Sequence, residues 1–101
     1  MKSKNWESLL GLAQRAGKVV SGEELVVKEI QRKSARLVLI ANDASDNTRK
    51  KITDKATTYK VPVCTVTGRY ELGHAIGKVQ RVTIAVTDAG FAKKLFAILD
   101  Q

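Results

Sequence analysis

The sequence predicts an α/β protein, a three-layer α/β/α sandwich with a central four-stranded mixed sheet. Segments with apolar residues at helical spacing alternate with short apolar runs along the whole chain. Such alternation favours a sheet covered by helices on both faces, largely parallel in its helix-connected strand pairs. The chain has 101 residues, of which 44% are apolar and one is proline. This length and composition are typical of a single compact domain, here residues 1–101.

The amino-terminal segment predicts a helix followed by a short strand. Apolar residues recur at helical spacing between Trp6 and Ala13, and Gly17 follows them as a stop signal. The helix is therefore expected from about Lys4 to Ala16. Lys18–Val20 is expected to form the first strand.

The second helix is expected to begin after Ser21. Ser21 can cap the helix, and Glu24, three residues later, can complete a capping box. Gly22 lies in the first turn, where it allows another molecule to approach the exposed backbone amides. The residues expected to point inward from this helix are Leu25, Val26 and Ile30.

The rest of the chain continues the alternation of strands and helices. The expected segments are, in order, a buried strand at Arg36–Ile40, a helix from Ser45 or Asp46, a strand at Val61–Val66, a short helix over about Gly68–Ala75, a strand at Val82–Val86 and a helix from near Asp88. The last helix places Phe91, Leu95, Ile98 and Leu99 on one side, which predicts that this side packs on the sheet.

The charge of the chain is strongly positive, with 18 Lys and Arg residues against 10 Asp and Glu residues and a net charge of +8. A compact fold places this charge on a folded surface, which favours nucleic acid as the partner. Because ligands of open α/β sheets meet the loops at one edge, the turns after Val20, Ile40 and Gly77 are expected to converge. The cations expected to flank these loops are Lys18, Lys28, Arg32, Lys33, Lys78 and Arg81. A further group on the third helix is expected to serve solubility: Arg49, Lys50, Lys51 and Lys55.

The sequence offers little for catalysis, metal binding or a cofactor. His74 is the only histidine and Cys64 the only cysteine, and we expect this thiol to be buried among valines. No phosphate-binding glycine loop or dinucleotide motif is present, and Gly73 and Gly77 are expected to serve tight packing and a helix C-cap. We therefore expect a noncatalytic protein without a metal or a cofactor. The run Trp6–Leu12 is too short and mixed for a signal peptide or a membrane span, so we expect a cytoplasmic protein with no membrane partner.

Two carboxylates at the start of the second helix narrow the kind of nucleic-acid contact. Glu23 and Glu24 stabilise the helix dipole, yet they would repel a phosphate placed at the same end. A carboxylate instead accepts hydrogen bonds from the ring N–H and the exocyclic amine of guanine, which single-stranded or distorted RNA exposes more readily than a regular duplex. The plain alternative, that Glu24 only completes the capping box, stays open at this point.

Three blocks of sequence follow one another along the chain: KVVSGEELVVKEI from Lys18, ARLVLIANDAS from Ala35 and ELGHAIG from Glu71. Together they resemble the ribosomal protein L7Ae family of kink-turn RNA-binding proteins, and most closely its short bacterial members of the YlxQ type. The resemblance covers roughly Gly11 to Leu99. It implies an α/β/α sandwich that binds a sharply bent helix–internal loop–helix RNA, with the N-terminus of the second helix against tandem sheared G·A pairs.

The resemblance also implies two surfaces that contact the RNA. At the helix start, Gly22 would allow close approach of the backbone amides, Glu24 would accept hydrogen bonds from a guanine edge, and Lys28 would reach a base edge or a phosphate. The full set implied there is Gly22, Glu23, Glu24, Leu25 and Lys28. In the loop before the last strand, Val79 would pack on an unstacked base. The other residues implied at this second surface are Lys78, Gln80 and Arg81, with Asn42, Asp43 and Ala44 on its other side.

The chain departs from the archaeal pattern of this family at the helix start. Where archaeal members read GTNEVTK, this chain reads GEELVVK, so Glu24 replaces an asparagine and Leu25 a glutamate. Gly22 and Lys28 keep their spacing, which implies the same mode of binding with altered base contacts. His74 stands where a lysine is common, so the backbone contact of that lysine is not carried over to this chain.

Three hypotheses of function, from different classes, follow from the sequence. The first is a monomeric, noncatalytic protein that binds kink-turn RNA, with ribosomal RNA the expected target, and stabilises the bent form. The second is a protein-binding adaptor on the ribosome or on another ribonucleoprotein, with the Arg49–Lys55 face as its contact. The third is an enzyme acting on RNA, for which His74 is the one obvious general base.

Overall fold

The structure is a computed structural model that describes residues 3–100, with side chains described from Trp6 onward. Helices and strands alternate throughout this part of the chain. In chain order they are α1 (Ser3–Arg15), β1 (Val19–Ser21), α2 (Glu23–Gln31), β2 (Leu37–Ala41), α3 (Asp46–Thr58), β3 (Val63–Val66), α4 (Arg69–Ala75), β4 (Thr83–Val86) and α5 (Ala89–Leu99). Each predicted element is present, with boundaries shifted by at most one or two residues.

Side-chain caps fix the beginnings of two helices. Before α3, the hydroxyl of Ser45 accepts a hydrogen bond from the backbone N–H of Thr48 at 3.2 Å. Before α5, the carboxylate of Asp88 accepts one from the backbone N–H of Phe91 at 2.9 Å. Each bond satisfies an N–H that has no partner within its helix. The predicted starts of both helices are confirmed.

The four strands form one mixed sheet in the order β1-β4-β2-β3. β2 and β3 are parallel, whereas β4 runs antiparallel to both of its neighbours, β1 and β2. The predicted four-stranded mixed sheet is confirmed. Two of its three helix-connected strand pairs, β1/β2 and β2/β3, run parallel as expected, and β3/β4 runs antiparallel. β1 and β2 run in the same direction, as a helical crossover requires. They are not neighbours, however, because β4 lies between them.

The helices cover both faces of the sheet. α1, α4 and α5 pack on one face, and α2 and α3 pack on the other. β2 shows the division most clearly, because its side chains alternate between the two faces. Leu37, Leu39 and Ala41 belong to the first apolar cluster, and Val38 and Ile40 to the second. The architecture is therefore the predicted three-layer α/β/α sandwich.

The start of α2 differs from the predicted capping box. Ser21 is the last residue of β1, and Gly22 is the N-cap, with φ 98°, ψ 143° and no side-chain cap. Ser21 is held in the strand by its pairing with Ile84 of β4, and its hydroxyl accepts a hydrogen bond from Arg81 Nε at 3.0 Å. The capping-box prediction is wrong because β1 extends one residue further than expected. Glu24 consequently has no box to complete.

The inward face of α2 is narrower than predicted. Val26 and Ile30 are fully buried, as expected. Leu25 is 51% exposed, so its predicted burial is wrong. Successive residues of a helix are rotated by about 100°, and with Val26 facing the sheet Leu25 falls on the outer edge. An exposed leucine is thereby placed in the first turn of α2.

Glu23 joins the start of α2 to α3. Its carboxylate accepts a hydrogen bond from Thr48 Oγ1 at 2.8 Å and lies 3.1 Å from Lys51 Nζ. The hydrogen bond from Thr48, reinforced by the Lys51 ammonium, lowers the pKa of the Glu23 carboxyl below its ordinary value of 4.5. These contacts fix the orientation of the first turn of α2 relative to α3.

The loop between α4 and β4, residues 76–82, lies directly on α4. A Cβ built on Gly73 would lie 2.4 Å from Cα and 2.6 Å from the carbonyl carbon of Gln80. Only a residue without a side chain permits this approach of two backbones. Gly77 follows the C-cap of α4 with φ 78°. Tight packing and a C-cap, the two roles predicted for these glycines, are both confirmed.

The sulfur of Cys64 lies in the core. The residue is 8% exposed, and removal from water raises the pKa of its thiol. The predicted burial is confirmed. Within residues 3–100, no helix combines the length and the apolar character needed to cross a membrane. In the same part of the chain, no three His, Cys, Asp or Glu side chains cluster closely enough to hold a metal ion.

Glu23→Gln is expected to lower the free energy of unfolding at neutral pH and to matter little in acid. The pKa of Glu23 is lowered on folding, so its carboxylate contributes stability above the unfolded pKa of about 4.5, and this is lost as the pH falls through the folded pKa. Solvent screens a side chain that is 34% exposed, so we expect at most about 1 kcal/mol. Urea unfolding of both proteins between about pH 7 and about pH 3 measures the difference.

Glu24→Gln is the matched control for this measurement. It makes the same chemical change one position on, where no hydrogen bond or ion pair among the described residues is lost. A deficit in Glu23→Gln that stays constant from neutral to acid pH would contradict the assigned contacts.

Gly73→Ala is expected to destabilise the protein by about 1–3 kcal/mol, because the added methyl group must displace the backbone of Gln80. Urea unfolding measures the loss. His74→Ala, at the exposed neighbouring position, is the control and should remain within about 0.5 kcal/mol of the parent. Equal stability of Gly73→Ala and the parent would show that the loop does not need this close approach.

Candidate functional site

The N-terminus of α2 presents backbone amides that no side chain caps. Gly22 has φ 98°, a conformation that L side chains rarely adopt, and its N–H donates to the carbonyl of Thr83 at 3.1 Å. A Cβ built on Gly22 would meet no atom within 4 Å, so the space beside it is open. The amides of Glu23, Glu24 and Leu25, in the first turn, have no acceptor within the helix. This end of α2 can therefore donate hydrogen bonds to a partner.

The outer face of α2 continues this surface. Glu24, Leu25 and Lys28 are all exposed, and positions three and four apart on a helix are neighbours. Lys28 forms no ion pair among the described residues. The face thus combines an acceptor, an apolar side chain and a cation. Glu23 differs from these residues because its carboxylate is already bonded to Thr48 and Lys51.

A cleft of about 300 Å³ separates the start of α2 from the α4–β4 loop. It is lined by Gly22, Glu23, Thr48, Gln80, Arg81, Val82 and Thr83. The end of β2 reaches the same place, because the N–H of Ala41 donates to the carbonyl of Val82 at 2.8 Å. The predicted convergence of the three turns is confirmed. Within the described residues, the buried hydroxyl of Thr83 has no hydrogen-bond partner.

The α4–β4 loop forms the other wall of the cleft. Arg81 joins this wall to the start of α2 through its hydrogen bond to the Ser21 hydroxyl, and its backbone N–H donates to the carbonyl of Arg69 at 3.0 Å. Lys78, Val79 and Gln80 precede it and are exposed; Val79 is 75% exposed. The side chain of Val79 is thus exposed to solvent, on a loop whose backbone is hydrogen-bonded to α4.

Asn42 and Asp43 follow β2 and have different surroundings. Asn42 is exposed, and its backbone carbonyl accepts a hydrogen bond from Arg49 Nη2 at 3.1 Å. Asp43 is bonded to Arg69, whose backbone N–H and Nε donate to its two carboxylate oxygens at 3.1 Å each. Asp43 therefore caps α4, although it lies 26 residues before Arg69 in the sequence. Ala44 packs against the second apolar cluster.

The cations predicted to gather at one edge lie at both ends of the sheet. This prediction is wrong for Lys18, Arg32 and Lys33. The carbonyl of Lys18 accepts a hydrogen bond from Thr87, beyond the far end of β4, while Arg32 and Lys33 follow the last turn of α2. A nine-residue helix spans about 13 Å, so residues before and after it lie at opposite ends of the sheet. The cations that remain on the α2 face and in the loop by the cleft are Lys28, Lys78 and Arg81.

Three residues near the cleft were not predicted as part of a site: Thr48, Arg49 and Arg69. Thr48 orients Glu23, and Arg69 binds Asp43. Arg49 Nη2 donates to the carbonyls of Ala41 and Asn42, so the prediction that Arg49 serves only solubility is wrong. The contacts join residues up to 26 positions apart. No local sequence pattern signals a contact over that separation.

A sequence model of the ribosomal protein L7Ae/L30e/S12e/Gadd45 family matches residues 4–96. The chain is 58% identical over 100 residues to the RNA-binding protein YlxQ of Bacillus subtilis, covering 99% of this chain and 100% of that protein. It is 34% identical over 88 residues to the large ribosomal subunit protein eL30 of Tetrahymena thermophila, covering 85% of each.

Among the solved structures with a similar fold, two cover nearly the whole chain. One, described as a protein with unknown function from Bacillus halodurans, superposes with a TM-score of 0.93 at 50% identity and covers 95% of this chain and 97% of that one. The other, the Giardia lamblia 15.5kD RNA binding protein, superposes with a TM-score of 0.84 at 19% identity, covering 98% and 88%, a likeness of fold alone. The fold, the match over residues 4–96 and the identity to YlxQ agree with the resemblance of the three sequence blocks. The chain belongs to the ribosomal protein L7Ae/L30e/S12e/Gadd45 family.

Proposed function

We propose that the chain is a noncatalytic RNA-binding protein that recognises kink-turn RNA, acts as a monomer in the cytoplasm and associates with ribosomal RNA. The observation that carries this proposal is the uncapped N-terminus of α2, with open space beside Gly22 and exposed Glu24 and Lys28 next to it. The net charge of +8 favours a polyanion. Relatives named as RNA-binding and large ribosomal subunit proteins support the same partner.

The proposed contacts divide between recognition of bases and neutralisation of phosphates. Amides of the first turn of α2 donate to base or sugar oxygens exposed by the bend, and the Glu24 carboxylate accepts from a guanine edge. Lys28 neutralises a phosphate, which positions the RNA without reading its sequence. Across the cleft, Val79 stacks on an unpaired base while Lys78 and Arg81 contact its backbone.

This arrangement acts by selecting a shape. We propose that the bent RNA contacts both walls of the cleft together, whereas the extended form contacts only one of them. Binding shifts the RNA towards the bent form by as much as the affinity for that form exceeds the affinity for the extended one. A rigid protein surface suits this role, and the bonds of Arg81 and Glu23 hold the cleft walls in place.

The adaptor hypothesis receives less support. It assigns the contact to the Arg49–Lys55 face, yet three cations of that face are bonded within the chain. Arg49 binds the carbonyls of Ala41 and Asn42, Lys51 pairs with Glu23, and Lys50 pairs with Asp54. We therefore propose RNA, rather than protein, as the primary partner. Equal affinity for a kink-turn RNA and for the same RNA with its G·A pairs replaced would favour the adaptor instead.

Gly22→Asp is expected nearly to abolish binding to kink-turn RNA, because a side chain and a negative charge would fill the space beside the free amides. Lys50→Ala is the control and should change affinity little. Gel-shift titration gives the affinities, and circular dichroism checks that both variants fold, since φ 98° disfavours an L side chain.

Lys28→Ala is a second test of the α2 surface, and this substitution leaves the backbone unchanged. It should lower the slope of log affinity against log salt by about 0.7–0.9, the amount for one phosphate contact. Equal affinities of Gly22→Asp and Lys50→Ala, with no change of slope for Lys28→Ala, would exclude the α2 surface as the site.

Glu24→Ala is expected to weaken kink-turn binding by about 1–3 kcal/mol, as measured for lost base-edge contacts. The loss should shrink when inosine replaces the guanines of the G·A pairs, because inosine lacks the exocyclic amine that a carboxylate would accept from. Affinities of both proteins for both RNAs complete a double-mutant cycle. Additive effects would mean that Glu24 does not contact that amine.

A further inference from the structure

Four helices of the described chain end in the same backbone motif but differ in the residue at its left-handed position. In each, the two N–H groups after the C-cap donate back to carbonyls of the last turn, which is a Schellman motif. At the ends of α1 and α4 the left-handed residue is glycine: Gly17 has φ 75° and Gly77 has φ 78°. At the ends of α2 and α3 it is lysine: Lys33 has φ 65° and Lys60 has φ 61°.

The two lysines are unusual in this position. Within residues 3–100, Lys33 and Lys60 are the two non-glycine residues with positive φ. An L side chain is strained in this region and glycine is not. A cation near a helix C-terminus is stabilised by the helix dipole, but an ordinary position in the last turn gives that benefit without the strain. The helix dipole therefore explains why a cation lies near the end of each helix, but it does not explain why the lysine occupies the left-handed position. Backbone strain of this kind occurs preferentially at functional sites.

Both lysines line one cavity, at the end of the sheet opposite the cleft. The cavity has a volume of about 550 Å³. Arg36 and Tyr59 also line it, together with Pro62. Arg36 precedes β2, and its N–H donates to the carbonyl of Val86 at the far end of β4. Three cations and an aromatic residue from the ends of two helices and the start of a strand thus meet around one concavity.

A second concavity extends this surface towards α5. It has a volume of about 290 Å³ and shares Arg36 and Pro62 with the first. Lys93 and Phe96 of α5 line it, and Phe96 is 38% exposed although it is a large apolar residue. We call the combined surface the basic end; its residues are Lys33, Arg36, Tyr59, Lys60, Lys93 and Phe96.

The charge of the basic end is unbalanced. Its four cations form no ion pair or side-chain hydrogen bond with any other residue between 6 and 100. No Asp or Glu is among the described residues that line either concavity. By contrast, Arg32, which lies beside Lys33 in sequence, is paired with Glu29 at 3.6 Å. Charge complementarity therefore calls for an anionic partner at this end.

We propose that the basic end is a second RNA-binding surface, which takes a single-stranded segment of RNA. Its cations contact successive phosphates, and Tyr59 and Phe96 pack against unstacked bases. Cations interleaved with aromatic rings in a groove are the arrangement by which proteins hold single strands without reading sequence. The surface is concave, which suits separated bases better than the flat surface of a lipid bilayer.

The basic end and the α2 surface can be occupied together. β2 spans the distance between them, and five strand residues at about 3.3 Å each separate the two by roughly 15 Å or more. The protein would then hold a folded RNA element at one end and an unpaired strand at the other. This inference extends the proposed function to a second site and is measured with a different RNA.

Oligouridine of about 16 nucleotides, at the upper end of known single-strand site sizes, is the probe. In Lys33→Gly/Lys60→Gly, affinity for it should fall by about 10-fold and the log–log salt slope by about 1.4, the amount for two phosphates of a single strand. The same variant should melt several degrees higher, because glycine relieves both left-handed positions. Affinity for kink-turn RNA should change by less than about twofold, because the α2 surface is untouched.

Lys50→Ala/Lys94→Ala is the matched control, since it removes the same charge from outside the basic end. Its affinity for oligouridine should stay within about twofold of the parent. Equal losses in the two double variants, or no loss in Lys33→Gly/Lys60→Gly, would overturn the proposal. A raised melting temperature rules out misfolding as the cause of a loss. Phe96→Leu tests the proposed contact between an aromatic ring and a base, and it should weaken oligouridine binding by about fivefold or more.

Simultaneous binding separates this proposal from the proposed function. Protein saturated with kink-turn RNA should still bind oligouridine with unchanged affinity. Displacement of oligouridine by kink-turn RNA would place both RNAs on the α2 surface and overturn the second site. If kink-turn RNA shows no preference over its altered form, the oligouridine measurements remain valid, so the two failures are distinguishable.

Discussion

The junction between β1 and α2 depends on a single constraint, the attachment of Gly22 to β4. The N–H of Gly22 donates to the Thr83 carbonyl, and the neighbouring Ser21 hydroxyl accepts from Arg81. These two bonds end the strand and start the helix within one residue, which requires φ 98°. The first-turn amides of α2 consequently open into the cleft, where no side chain of the helix start caps them.

The direction of α2 makes the two ends of the molecule different. α2 begins at the cleft and ends at the basic end, so one helix offers free N–H groups at one extremity and a left-handed lysine at the other. Two carboxylates near the cleft bind other residues of the chain: Glu23 orients α2 and Asp43 caps α4. The excess of cations is thus spread over two surfaces separated by the sheet. A single polyanion contact accounts for only one of them.

Much of the fold could be predicted because its signals are local. Apolar spacing indicated the helices and strands found within residues 3–100, and Ser45 and Asp88 marked two helix starts correctly. Strand order could not be predicted, because the insertion of β4 between β1 and β2 leaves no trace in periodicity. The same non-local pairing extended β1 through Ser21 and removed the expected capping box. Of the candidate site, the convergence of the three turns was predictable, whereas the contact of Glu23 with Thr48, 25 positions away, was not.

The α2 site is tested most directly by titrating the protein with kink-turn RNA and following the backbone amide signals by nuclear magnetic resonance. The amides of Glu23, Glu24 and Leu25 have no acceptor within α2, so their signals are expected to shift and the amides to become protected from exchange as the RNA binds. Amides on the exposed side of α3 should stay unchanged. Unperturbed signals at the start of α2, together with large shifts at Lys50 and Asp54, would show that the RNA binds to α3 and not to the start of α2.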